Sequence, residues 1–137
     1  MADLFGAIGI SASGMAAERM RMDVTSANLA NADTTRGADG RPYQRQEVVL
    51  QAGGGPSFGD VLSGVQVAAI VPDPTPGHRV YDPGHPDADA QGYVTLPNVN
   101  TVTEMTDLIT ESRGYEADTQ ALDTAKSMYT KTLDLLR

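Results

Sequence analysis

The chain has no cysteine and no tryptophan, and only two phenylalanines and five tyrosines among 137 residues. Without thiols, neither a disulfide nor a thiolate metal centre can staple the fold, and thiol usage carries no message about compartment. Large apolar side chains are scarce too. Of the apolar residues 17 are alanine, while leucine, isoleucine, valine and phenylalanine together number 27, just under a fifth of the chain. That fraction, combined with a net charge of −8, lies near the composition at which a chain cannot bury enough surface to offset its ordering entropy. A self-sufficient core is not expected.

Positive charge is the next shortage. Ten basic residues face 18 acidic ones and are scattered along the chain, so no basic stripe exists for neutralising phosphates. Nucleic acid and anionic membrane surfaces are therefore disfavoured as partners. No apolar run approaches the length that spans a bilayer, which argues against direct membrane insertion. The opening MADLFGAIGISASGMAAERM lacks a basic start and is broken by Gly and Ser, a poor Sec signal, so any exit from the cytoplasm must use another route. Catalytic signatures are also missing: there is no G-x-S-x-G, and GGGPS at 53–57 lacks the lysine and following helix of a phosphate loop. No enzyme, small-molecule substrate, cofactor or metal is expected.

What is present divides in three. All 8 prolines fall between Pro42 and Pro97, and 10 of the 14 glycines between Gly37 and Gly92. The proline-free ends read as helices. From Asp3 to about Asn31, Leu4, Ile8, Met15, Met22 and Leu29 recur at spacings compatible with one helical stripe. Gly6, Gly9 and Gly14 weaken its first half by about 1 kcal/mol each relative to alanine. Asn28 and Asn31 are expected to close it, Asn being tolerated in the left-handed conformation that ends many helices.

From Thr101 to Arg137, Met105, Leu108, Ser112, Tyr115, Thr119, Leu122, Lys126, Tyr129, Leu133 and Leu136 alternate by four and three, the period of a coiled-coil seam. Thr101 and Glu104 have capping-box spacing. Between the helices, QEVVLQ (46–51) and GVQVAAIV (64–71) have the branched residues of strands, with RVY and YVTL as shorter ones. The expected fold is α+β: long N- and C-terminal helices pairing as an antiparallel coiled coil, with a small β-rich central insertion containing the prolines and glycines. The expected segments are 1–31 and 101–137 for the terminal helices and 32–100 for the centre.

The only concentrated chemistry is HRVYDPGHPDADAQG, His78 to Gly92. Asp87, Asp89, Gln91 and Gly92 mimic the front of a calcium loop, but position twelve is Asn98, and no flanking helix pattern is present. His78 and His85 lack a spacing that aims both rings at one ion, so a solvated or turn-capping pair is the better reading. A freestanding binding module that captures a cation or peptide on this loop is the alternative function.

The segment SGMAAERMRMDVTSANLANADTT, Ser13 to Thr35, resembles the N-terminal signature of flagellar rod and hook axial proteins, with Asn28-Leu29-Ala30-Asn31 as its core. GRPYQRQEVVL, YDPGHPDADAQGYVTLPNVNTVTEM and the last helix resemble the proximal-rod branch of that family; the likeness covers nearly the whole chain. Gly114 and Asp118 depart from the family's C-terminal pattern. The resemblance implies a structural rod subunit that leaves through the flagellar type III export apparatus, unfolded and without signal cleavage. It would then assemble in the periplasm with copies of itself and other rod proteins into a torque-carrying shaft. The implied assembly interface comprises Leu4, Ile8, Met15, Met22, Asn28, Leu29 and Asn31 in the first helix, and Met105, Leu108, Tyr115, Leu122, Tyr129 and Leu133 in the second. Asn28 and Asn31 supply its polar contacts.

Overall fold

A computed structural model describes residues 2–54 and 64–134, with the side chains of 2–5 and 7 left aside. Helix α1 runs Ala2–Ala30, and strands β1 (Gln46–Ala52), β2 (Val65–Pro72), β3 (Arg79–Tyr81) and β4 (Tyr93–Thr95) follow, before helix α2 closes the chain at Thr101–Asp134. The α+β class is as expected. At 34 residues α2 is about 50 Å long, well beyond what one small core can cover. The leucine at 136, read as part of the C-terminal stripe, and most of the GGGPS turn lie outside the described residues, as does the side chain of Leu4.

At the end of α1 the expected residue acts by another mechanism, and at the start of α2 another residue caps. Asn31 caps α1 with its side chain, its Nδ2 donating to the Ala27 carbonyl at 2.8 Å. No described non-glycine residue has positive φ, so this is not the left-handed ending that was expected. At the start of α2 the capping residue is Asn100, whose Oδ1 accepts the backbone N–H groups of Val102 and Thr103. The Glu104 side chain, read as half of a capping box with Thr101, turns away to the first helix instead.

β1 and β2 form an antiparallel hairpin from Gln46↔Pro72 to Ala52↔Val65, with a bulge between Val49 and Leu50. β3 and β4 pair separately, Arg79↔Thr95 to Tyr81↔Tyr93. An isolated two-stranded ribbon is marginal in water. The larger hairpin is tied to α1 at both ends. Asn28 bonds both backbone groups of Gln46, and Ser13 Oγ accepts the Val65 N–H at 3.0 Å while donating to the Ile10 carbonyl. At Gly64, φ is +83°, and an added Cβ would collide with the Ser13 side chain. That position needs glycine for both reasons.

Burial matches the lean composition. The buried apolar residues among those described are Ala17, Val24, Ala32, Val94, Val99 and Ala125, three small and three medium side chains. Glu104 and Asn28 are each only 1% exposed, deeper than almost every apolar group.

Two glycines give opposite expectations. A Cβ on Gly9 would meet nothing within 4 Å, so Gly9→Ala should stabilise the folded chain by about 1 kcal/mol. A Cβ on Gly77 would run into the Leu96 carbonyl, which belongs to the backbone and cannot swing aside. Gly77→Ala should cost about 1–3 kcal/mol, the range for overpacked sites. Thermal unfolding of the two variants beside wild type checks both signs.

Candidate functional site

The contacts between α1 and α2 form a ladder in which residue numbers rise on one helix as they fall on the other. Asn28 meets Glu104, Thr25 meets Glu111, Glu18 lies over Gly114, Met15 meets Thr119, and Gly14 lies under Asp118. A Cβ added to Gly14 would sit 2.5 Å from Asp118 Oδ2, and one added to Gly114 would sit 3.3 Å from Glu18 Cδ. The two glycines are thus reciprocal. Each helix carries a glycine and, four residues on, a carboxylate, and each carboxylate rests over the other helix's glycine. The missing side chain at Gly114 makes room for an acid and does not merely loosen a turn.

At one end of the ladder Asn28 fills all four of its hydrogen-bonding positions. Its Nδ2 donates to the Gln46 carbonyl at 2.9 Å and to Glu104 Oε2 at 3.0 Å. Its Oδ1 accepts the Gln46 N–H and the Tyr43 hydroxyl, both at 2.9 Å. Burial, with the nearby Glu104 charge, holds the Tyr43 phenol above its ordinary pKa and keeps it a donor. The other oxygen of Glu104 takes the Arg45 Nε. Arg45 also pairs with Glu47 and lies 3.9 Å from both Asp73 and Asp107. Its backbone N–H donates to Asn98 Oδ1 at 2.8 Å. Both helices, the base of the hairpin and the loop before α2 therefore meet at one charged, hydrogen-bonded point.

Beside it is a polar cleft of about 270 Å³ lined by Arg21, Val24, Thr25, Arg45, Gln46, Glu47, Val48, Asp107 and Glu111. Glu111 Oε1 accepts the Thr25 hydroxyl at 3.1 Å and lies 3.7 Å from Arg21 Nε. Its Oε2 is buried with no hydrogen-bond partner. Burial pushes this carboxyl's pKa up, Thr25 and Arg21 pull it back, and Glu18 and Asp107 raise it further.

The expected interface residues divide on placement. Asn28 is buried, Ile8, Met15, Met22, Leu29, Asn31, Leu108, Tyr115, Leu122 and Tyr129 are half-buried, while Met105 and Leu133 are exposed at 54% and 42%. The face that α2 buries keeps Leu108, Tyr115, Leu122 and Tyr129 of the expected stripe, all half-buried, while its deepest positions are Glu104, Glu111 and Ala125, with Asp118 continuing their seven-residue spacing; Met105 and Leu133 fall outside it. Sequence reasoning missed Glu104, Glu111 and Arg45, because an apolar stripe cannot reveal a buried acid. For the two acids the one available signal was that seven-residue recurrence of Glu104, Glu111, Asp118 and Ala125.

The His and Asp loop spends its side chains on its own turns. His85 Nδ1 accepts the Asp87 N–H, Asp82 accepts Gly84 N–H, and Asp87 holds Thr35 and Arg36. Asp89 accepts the N–H groups of Tyr93 and Gln91, which hold its carboxyl below the ordinary pKa. Among the described residues no three His, Cys, Asp or Glu side chains are grouped to hold a metal ion.

Two family profiles match the chain, one at each end. Residues 8–38 match the family described as flagella basal body rod protein, and residues 90–135 match the C-terminal family of flagellar basal body rod FlgEFG proteins. Both helices of the ladder thus fall in the sequence class of flagellar rod proteins. Over nearly its full length the chain is similar to flagellar basal-body rod proteins FlgC. It is 43% identical to that of Yersinia enterocolitica over 96% of this chain and 97% of the relative. It is 42% identical to that of Borreliella burgdorferi over 98% of each, and 42% identical to that of Bacillus subtilis over 96% and 97%. The chain belongs to the FlgC family of flagellar basal-body rod proteins, and is a structural subunit of the rod. The binding-module alternative built on residues 78–92 finds no support among these relatives.

Glu111 gives a pH expectation with a definite sign. The folded chain holds its proton more tightly than the unfolded chain, so stability should fall as pH rises through the raised folded-state pKa. Urea midpoints measured between pH 4 and about pH 8 should decline for wild type over that window. They should flatten in Glu111→Gln, which cannot ionise; an unchanged slope in the variant would assign the dependence elsewhere.

Proposed function

We propose that the two terminal helices act as the load-bearing element of the rod subunit, pairing as an antiparallel coiled coil that faces the rod axis. In this reading 1–31 and 101–137 build the shaft with equivalent coils of neighbouring rod proteins and copies of the chain, while 32–100 covers the outside. The single observation that carries it is the ladder of α1–α2 contacts, which runs from Asn28–Glu104 to Gly14–Asp118 while leaving most of both helix surfaces without cover. Side chains such as Met105, Met128 and Leu133, over 40% exposed on a helix of this length, need further neighbours to exclude water. Contacts of the head-to-tail kind, whose rotation does not close, generate an open helical array.

The route to the rod follows the same logic. We infer export through the flagellar type III apparatus to the periplasm, unfolded and without a cleaved Sec signal. A chain with six small or medium buried apolar side chains among its described residues, and glycines at 6, 9 and 14 in its first helix, is suited to ordering when neighbours bury its remaining faces.

Leu122 tests the helix assignment because it is half-buried between the ladder positions Asp118 and Ala125. Leu122→Asp removes a side chain worth about 1.5–3 kcal/mol of transfer and substitutes a carboxylate that must be desolvated or protonated. The defect recurs in every subunit, so rod assembly and swimming should be lost while export continues. Asp123→Asn, exposed and one residue away, should swim normally. Motility plates together with immunoblots of exported protein read both outcomes; normal swimming by the Leu122 variant would sink the load-bearing assignment.

A further inference from the structure

Acids and bases are unevenly matched where the two helices meet the base of the hairpin. Six carboxylates, those of Glu18, Glu47, Asp73, Glu104, Asp107 and Glu111, lie 3.9 Å or less from just two guanidinium groups. Arg21 is shared by Glu18 and Glu111, and Arg45 by the other four.

The shortfall is sharpest at Asp107 and Glu111, which stand one turn apart on α2 and both line the polar cleft. Like charges at this spacing repel each other. The Glu111 side chain is 6% exposed; its Oε1 takes the Thr25 hydroxyl at 3.1 Å, and no donor among the described residues reaches its Oε2. Arg21 Nε is 3.7 Å from Oε1, beyond hydrogen-bonding range. Asp107, its side chain 44% exposed, stands 3.9 Å from Arg45 Nη2, also too far for a hydrogen bond. The pair therefore has one acid deep in the cleft and one towards its mouth, and neither is bonded to a cation. A buried carboxylate without its full set of partners is costly.

A bare metal ion does not fit this pair. Such an ion takes six or more oxygens, and among the described residues no three His, Cys, Asp or Glu side chains are grouped to hold one. A cation that carries N–H groups brings directed donors of its own, and a guanidinium fork can bond two acids at once. The cleft, at about 270 Å³, has room for more than a single water. The Glu111 carboxyl turns on a broad terminal torsion, so a donor in the cleft can draw an oxygen round to meet it.

We propose that the cleft receives one basic side chain, guanidinium or ammonium, from a neighbouring rod subunit, held between Glu111 inside and Asp107 at the entrance. The site itself stands on the geometry of the cleft; only the source of the cation rests on the reading of the chain as a rod subunit. Copies of this chain are one source, since Arg19, Arg41, Arg113, Lys126 and Lys131 make no ion pair among the described residues. Other rod proteins are the second.

Two arms test it. In the first, the full chain is titrated with ethylguanidinium and, separately, with tetramethylammonium, which has the same charge and no N–H, while the carboxyl carbons of Asp107 and Glu111 are followed by NMR. Ethylguanidinium should shift both saturably and bind about tenfold or more weakly to Glu111→Gln. Guest and proton compete for Glu111, whose carboxyl burial holds above its ordinary pKa, so the affinity should rise between about pH 4 and about pH 8. The charged groups facing Glu111 are Glu18 and Arg21 on α1, Arg45 and Glu47 at the hairpin base, and Asp107 on its own helix. A rise that persists in Glu111→Gln would belong to one of the other acids and overturn the assignment. An equal response to tetramethylammonium would mean charge screening alone, and no saturable shift would mean that the cleft holds water only; either overturns the proposal.

In the second arm, a photoreactive benzophenone side chain replaces Val48, which lines the cleft, and purified basal bodies are irradiated. It should join a neighbouring subunit beside an arginine or lysine. A cross-linked dimer of this chain identifies a copy as the source, and an adduct with another rod protein identifies that subunit. Basal bodies that contain the chain but yield no such adduct would overturn the proposal. Absence of the chain from basal bodies would reject the rod reading alone, with the titration still deciding the cleft.

Discussion

The contact between Asn28 and Glu104 is the point on which the rest of the structure depends. Two polar side chains, each 1% exposed, stand where a larger protein would place leucines. Their burial is tolerable only because each is saturated with partners: Asn28 by Gln46, Tyr43 and Glu104, and Glu104 by Asn28 and Arg45. Remove any one and a buried polar group is left unmet, at a cost of about 1–3 kcal/mol, or more where the group is charged. The same few bonds join α1 to α2 and both to the start of the hairpin. Helix pairing and the placement of the β-rich centre are therefore one event.

This construction suits a chain with few large apolar side chains. Along the ladder, close approach at Gly14 and Gly114 substitutes for bulky packing, and directional hydrogen bonds fix a register that alanine-rich surfaces alone would specify weakly. Acids outnumber bases in that interface, with Glu18, Glu104, Glu111 and Asp118 facing Arg21 and Arg45. The unpartnered oxygen of Glu111 marks where the balance is least favourable. A helix pair held in this manner is specific without being strongly stable, which fits a subunit whose remaining surfaces are completed by neighbours.

Much of the architecture was legible in the sequence, for a physical reason. The start and end of the first helix, the start of the last, the branched runs at 46–51 and 64–71 and the RVY and YVTL segments all lie within a residue or two of the observed elements. Local propensity and punctuation decide element type. The interior was less legible. Apolar spacing pointed to a stripe of which Leu108, Tyr115, Leu122 and Tyr129 are half-buried and Met105 and Leu133 exposed, while the deepest positions of α2 are Glu104, Glu111 and Ala125. Periodicity assumes that burial follows hydrophobicity, and here two hydrogen-bonded acids, Glu104 and Glu111, take buried positions. Asn28 was legible only through family resemblance; nothing in its own surroundings distinguishes it from Asn31, which caps the helix.

A double-mutant cycle on Asn28→Ala and Glu104→Ala, read by urea unfolding of the full chain, tests the central claim most directly. If these side chains form the tie that joins both helices and the hairpin, the cycle should return a coupling of about 1.5–3 kcal/mol, as for a hydrogen bond to a charged group. Helix and strand signals should be lost together in each single variant. Additive losses, within about 0.5 kcal/mol, would mean that the two residues act independently and that the fold is held elsewhere.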